Sequence, residues 1–183
     1  MTKSSTETQT ATLQREGSAA KKRLMQYIDE LDMIGGGVWS RPGFLVRRLH
    51  QIHCALFFEE SKNGITPVQY GILTVLARNP WLDQTAVGYE VGLDRTTVAD
   101  VIRRLEDKGW VERRVNEQDR RSRLVALTKE GLTAMEDMQA GVESSQRKLL
   151  APLSLKEQRT FLTLLLQVVE ANNQYGRATL KDL

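Results

Sequence analysis

The chain has 183 residues, with 26 Lys and Arg against 23 Asp and Glu, two His and one Cys, for a formal charge of +3. One cysteine excludes an intramolecular disulfide, and two histidines with one cysteine fall short of a Cys/His structural zinc site. No run approaches 18 apolar residues and the polar stretch Met1 to Ala20 holds no apolar signal core, so no membrane span and a cytoplasmic location are expected.

Residues 1–20, rich in Thr, Ser and Gln, read as a disordered tail. Leu24, Tyr27, Ile28 and Leu31 then recur at helical spacing and predict a short amphipathic helix over Lys21 to Ile34. Gly35-Gly36-Gly37 ends it, and Arg41-Pro42-Gly43 opens a helix from Phe44 to Ser61 with a stripe of Leu45, Leu49, Ile52 and Leu56. Asn63-Gly64 stops that helix. Thr66-Pro67-Val68-Gln69 starts the next: Thr66 caps, Pro67 takes the first helical position, and Gln69 closes a capping box. This helix runs to about Ala77, with Leu73 and Leu76 inward.

Asp83 caps a short helix carrying Ala86, Val87 and Val91, which Gly92 ends. Asp94 caps another, running to Lys108, with Val98, Val101, Ile102 and Leu105 on one side and Gly109 as its terminating glycine. Trp110 to Arg113 and Arg123 to Leu127 read as two strands of a hairpin around a polar loop. Thr128 caps a long helix, Lys129 to Leu149, and Ser154-Leu155-Lys156-Glu157 is a second capping box. Beyond it Phe161, Leu162, Leu164, Leu165, Leu166, Val168 and Val169 go most of the way round the last helix. One domain needs a single stripe, so a second surface, that of a homodimer partner, is implied.

The charge is unevenly placed. Between Arg103 and Arg123 there are eight basic and five acidic residues, and the rest of the chain is balanced. The whole excess therefore lies in one short, Arg-dominated segment, and Arg suits phosphates and base edges through its planar fork. Helix, glycine turn, helix and an Arg-tipped hairpin form a winged helix-turn-helix, whose second helix fits the DNA major groove. Opposite its buried stripe that helix presents Thr96, Asp100 and Arg103, with Thr97 and Arg104 on the flank. Arg95 to Thr97 add backbone donors for phosphate. The hairpin places Arg121, and Arg120 beside it, for the minor groove. Arg123 is counted with the DNA-binding residues, and Asp119 is placed to orient the Arg121 guanidinium.

The runs Leu93-Asp94-Arg95-Thr96-Thr97-Val98 and Leu105-Glu106-Asp107-Lys108-Gly109-Trp110-Val111-Glu112-Arg113 resemble MarR-type transcriptional regulators. So does Asp119-Arg120-Arg121-Ser122-Arg123 followed by Leu127-Thr128 and Gly131. The resemblance spans about Phe44 to Val169 in element order. It implies a mainly α fold with a small β-hairpin wing, joined to a helical dimerisation region, in a homodimer on a pseudo-palindromic double-stranded DNA operator. By that likeness Asp119 and Arg121 match the wing pair, and Thr96, Thr97 and Arg104 match recognition-helix positions. Asp100 and Arg103 depart from the usual pattern of a basic and an acidic residue there. The expected organisation is a tail over 1–20, dimerisation helices over 21–65, the DNA-binding domain over 66–128, and dimerisation helices again over 129–183.

The likeness also implies a small-molecule effector, and the stretch Phe44 to Tyr70 is similar to regulators answering an aromatic acid or its coenzyme A thioester. Arg47, His50 and His53 supply the cations and donors for a carboxylate, with Gln69 and Tyr70 nearby. Other readings compete. Cys54 invites an oxidant-sensing repressor, and a winged helix can serve protein contacts without DNA. An enzyme is not expected, since Glu59-Glu60 and Glu106-Asp107 are adjacent pairs that point apart on a helix. Gly35-Gly36-Gly37 lacks the spacing of a phosphate cradle. No catalytic residue, metal site or cofactor is assigned.

Overall fold

A computed structural model describes residues 37–61 and 64–180, together with Gln26, Asp29 and Glu30. Those last three are helical, and Gln26 donates to Glu30 at 3.0 Å. The remainder of the helix expected over Lys21 to Ile34, and the tail over 1–20, lie outside the described residues. The chain divides into two compact units, Met1–Gln51 and Ile52–Leu183.

A 3-10 turn, Gly37–Ser40, leads into helix α1, Pro42–Ser61, within which the unit boundary falls. The second unit continues with α2 (Pro67–Arg78), strand β1 (Leu82–Asp83), α3 (Gln84–Val91), α4 (Arg95–Asp107), β2 (Val111–Val115), β3 (Arg123–Leu127), α5 (Lys129–Leu150) and α6 (Leu155–Asn172). The starts follow the sequence signals. The Thr66 hydroxyl accepts from the Gln69 amide at 3.1 Å while Gln69 Oε1 accepts from the Thr66 amide at 2.9 Å. Ser154 and Glu157 close a second capping box at α6, while Asp83, Asp94 and Thr128 cap α3 to α5 by accepting from first-turn amides.

The sheet is antiparallel in the order β1-β3-β2, with Arg113 opposite Val125 and Leu82 opposite Val125 on the other side. Sequence periodicity does not reveal β1, because two residues show no alternation. Its pairing exists because the outer edge of β3 offers open backbone groups to whatever chain passes. The core joins Phe57 and Ile65 to Ile72, Leu73 and Leu76 of α2, Val87 of α3, and Val98, Ile102 and Leu105 of α4. Val111, Val125 and Met138 complete it. Each such side chain contributes about 1.5–3 kcal/mol when fully buried.

Two apolar surfaces stay exposed among the described residues. The stripe on α1 divides: Leu45 is 44% exposed and Ile52 40%, Leu49 and Leu56 are half-buried, and the buried residues of that helix are Phe57 and Ser61. On α6 no residue is buried, with Leu164 at 55% and Val168 at 60%.

Candidate nucleic-acid interface

The turn between α3 and α4 is set by two glycines. Gly92 adopts φ +67°, the left-handed region, and the Leu93 carbonyl oxygen lies 2.8 Å from where a Cβ on Gly88 would stand. Asp94 then anchors the recognition helix, α4. One carboxylate oxygen accepts from the Thr97 amide at 3.0 Å and the other from the Thr97 hydroxyl at 2.8 Å. These bonds, the backbone one first, hold the Asp94 carboxyl below the ordinary aspartate value. Thr97, expected on the contact flank, thus gives its hydroxyl proton to the cap, while Arg95 and Thr96 stay exposed on the first turn.

Further along α4 the expected contact residues neutralise one another. Asp100 meets Arg103 at 2.7 Å and Arg104 at 2.9 Å, and Arg103 reaches Asp107 at 3.5 Å. The Arg103 hydrogen bond lowers the Asp100 pKa, and Asp100 in turn raises that of Arg103. Two arginines and two aspartates form one cluster on the exposed face instead of independent reading groups. Spacings of three and four residues on a helix make these contacts.

The wing is built differently. Arg113 pairs with Glu106, tying β2 to the last turn of α4. Arg114 lies over the Trp81 ring, 3.8 Å from its centroid. Trp81 itself has φ +64°, rare for a bulky side chain. This pair walls a concavity of about 440 Å³ with Leu124 and Val115. At the tip, Asp119 Oδ1 accepts from the Arg121 backbone amide at 3.0 Å, and the Ser122 amide donates to the Asp119 carbonyl at 2.9 Å. Asp119 therefore shapes the turn, correcting the expectation that it orients the Arg121 guanidinium. An Asp two residues before an amide closes such a turn readily. Arg120, Arg121 and Arg123 are exposed, and none has an acidic partner among the described residues.

The wing returns to the helices through Leu127-Thr128 and Gly131. The Thr128 hydroxyl donates to the Gly109 carbonyl at 2.7 Å and accepts from the Gly131 amide at 3.0 Å. A Cβ on Gly131 would overlap the Trp110 carbonyl. That motif is a clasp: it fastens the end of the recognition helix to the start of α5.

The residues expected around an effector divide. Arg47 and His50 belong to the first unit, where Arg47 stacks over Phe44, 5.1 Å from the ring centroid. His53, Gln69 and Tyr70 belong to the second. Phe57 stands between His53 and Tyr70, with ring centroids 6.2 and 6.0 Å away. Gln69 is buried and its carbonyl is bound in the cap of α2, which corrects its placement among the ligand-facing residues. Tyr70 opens onto a groove of about 380 Å³ lined by Thr74, Arg78, Met135 and Glu143. Burial first, and then the Glu143 charge, raise its phenol pKa. Cys54 is half-buried on α1. Sequence reasoning missed the Trp81–Arg114 pair, because the left-handed bend at Trp81 has no sequence signature beyond the preceding Asn79-Pro80.

Residues 63–122, the stretch holding α2 through the wing tip, match the model of the MarR family. The chain is 30% identical over 149 residues to a protein of Thauera aromatica named as a regulator of the hcr operon, covering 80% of this chain and 89% of that one. The chain belongs to the MarR family. Its architecture is that family's winged helix. The PcaV transcriptional regulator of Streptomyces coelicolor, solved with its natural ligand, superposes with a TM-score of 0.71 at 36% identity. That match covers 75% of this chain and 97% of the other. BpsR of Bordetella bronchiseptica, whose DNA binding is regulated by 6-hydroxynicotinic acid, gives 0.66 at 26% identity over 71% and 94%. This MarR-family chain is thus a transcriptional regulator, and among its described residues no helix is long and apolar enough to cross a membrane.

Proposed function

We propose that the chain is a homodimeric, cytoplasmic repressor that holds a pseudo-palindromic DNA operator and releases it on binding a small aromatic acid or its coenzyme A thioester. The observation that carries the DNA reading is the wing tip, where Arg120, Arg121 and Arg123 project beside α4 without acidic partners. A cation needing no partner exchange meets phosphate or a narrow minor groove at low cost. Thr96 and Arg95, exposed at the start of α4, add the recognition-helix contacts.

Dimerisation is supported by the apolar face of α6 and by Leu45 and Ile52 of α1, which are exposed among the described residues. Two reading heads then fall about one helical turn, roughly 34–36 Å, apart. The effector class is supported by the regulation of BpsR by an aromatic acid and by His53 and Tyr70 flanking Phe57, a combination of donors and ring faces that suits an aromatic carboxylate.

The test is binding of the purified chain to DNA from upstream of its own gene, followed by fluorescence anisotropy. Light scattering should give twice 20.7 kDa, and log affinity should fall linearly with log salt. Aromatic acids and their coenzyme A thioesters are then titrated in. Absence of a shift with both classes sinks the effector assignment, and salt-independent or absent DNA binding sinks the whole reading.

A further inference from the structure

The segment that follows α6 turns back onto the helix-turn-helix of its own chain. Asn173 begins a 3-10 turn, Asn173–Tyr175, and its side-chain amide grips Leu180 by both backbone groups. Nδ2 donates to the Leu180 carbonyl and Oδ1 accepts from the Leu180 amide, each at 3.0 Å. A two-point bond of this kind closes residues 173–180 into a loop of fixed shape. It also aims the Leu180 side chain at the turn between α3 and α4, where Leu180 Cδ2 lies 3.1 Å from where a Cβ on Gly92 would stand. The absence of that Cβ makes room for the contact. Arg177 reaches toward Asp94, the cap of the recognition helix, at 3.9 Å. Arg177 and Ala178 also wall a cavity of about 200 Å³ with Thr85, Tyr89 and Arg95.

These contacts join two parts with different duties. One end of the segment is the C-terminus of α6, the helix with an uncovered apolar face; the other is the turn that sets where α4 begins. We infer that Asn173–Leu180 is a strap that fixes the orientation of the reading head relative to α6, with Asn173 and Leu180 as its positioning residues. Arg177 is secondary, because its ion pair is long and 86% of its side chain is exposed. The inference rests on the DNA-binding, dimeric reading above. In that dimer a rigid strap raises the effective concentration of the second head once the first is bound, without adding a DNA contact.

The strap therefore predicts a loss confined to DNA that engages both heads. Wild-type protein is used to select a duplex with two half-sites, and a second duplex keeps one half-site with the other scrambled. Leu180→Ala and Asn173→Ala should each lose about 5- to 10-fold on the two-site duplex and less than about twofold on the one-site duplex. Leu180→Met, which keeps the apolar contact, should match wild type. Amide hydrogen exchange at residues 91–93 should quicken in Leu180→Ala and Asn173→Ala. Equal losses on both duplexes would show a purely local effect, and tighter binding would show an autoinhibitory segment. Either overturns the strap, as does unchanged affinity in the variants. Failure of the wild-type chain to bind any duplex would instead overturn the DNA-binding reading beneath it.

Discussion

On α4, Arg103 and Arg104 are both drawn to Asp100, at 2.7 and 2.9 Å, and Asp107 closes the cluster. On the wing, Arg120, Arg121 and Arg123 project from a loop with two carboxylates, of which Asp119 accepts from a backbone amide and Glu117 forms no ion pair with these arginines among the described residues. The same residue type thus arrives at the same surface in two electrostatic states. A wing arginine trades only water for DNA, whereas a helix arginine must also leave a carboxylate. Of the formal excess of +3 between Arg103 and Arg123, two charges lie on residues 111–123 and one on residues 103–110, where Asp100 just upstream offsets it. The wing should supply sequence-independent affinity, and the helix should suppress it away from the right bases.

The largest effect is expected at the wing tip. Arg121→Ala should weaken operator binding by roughly 5- to 150-fold and make the plot of log affinity against log salt shallower by about 0.9 for each phosphate that is no longer neutralised. Unfolding by urea should be nearly unchanged, since the Arg121 side chain is exposed. Anisotropy titrations at several salt concentrations check both. An unchanged slope with unchanged affinity would remove the wing from the interface and erase the contrast with α4.

Asp100→Ala should act in the opposite sense and less strongly. It frees Arg104 and leaves Arg103 only its longer contact with Asp107, so binding to unrelated duplex should tighten about two- to fivefold while operator binding changes less. The ratio of specific to non-specific affinity falls. If that ratio rises instead, Asp100 is not a brake on non-specific binding, and the helix and wing arginines are equivalent.

The two regions also differ in how far the sequence discloses them. Local hydrogen-bond chemistry is fully legible: Thr66 with Gln69, Asp83, Asp94, Thr128, and Ser154 with Glu157 all cap as their spacing implies. The Asp100 cluster is legible in principle, since its partners stand three and four residues away. The wing is harder, because a turn offers Asp119 two targets in Arg121, the guanidinium and the amide, and only geometry chooses the amide. The stripe of Leu45 and Ile52 shows the reverse limit. Hydrophobic period reports that a face will be covered, not whether the same chain covers it. The grip of Asn173 on Leu180 joins residues seven apart outside any repeating element, so no period announces it.

The smallest effect separates the charges that build α4 from those that face outward. Asp94 caps the same helix that carries Asp100, but its oxygens are committed to Thr97, and the backbone bond dominates the lowering of its pKa, with Arg177 last among the causes. A carboxyl whose folded pKa is depressed adds stability that is complete above its unfolded value and is lost as pH falls through the folded one. Asn caps a helix about as well as Asp but does not titrate. Asp94→Asn should therefore be slightly less stable than wild type at pH 7, and the gap between their urea midpoints should close in acid, below the ordinary aspartate range. The gap should change little with salt, because a hydrogen bond and not the long Arg177 pair is its main source. Operator affinity at pH 7 should stay within about twofold of wild type if the role of Asp94 ends at the cap. A gap that persists unchanged into acid would mean that the Asp94 charge contributes nothing to the start of the recognition helix. A large loss of affinity without loss of stability would make Asp94 part of the contact surface, alongside the wing.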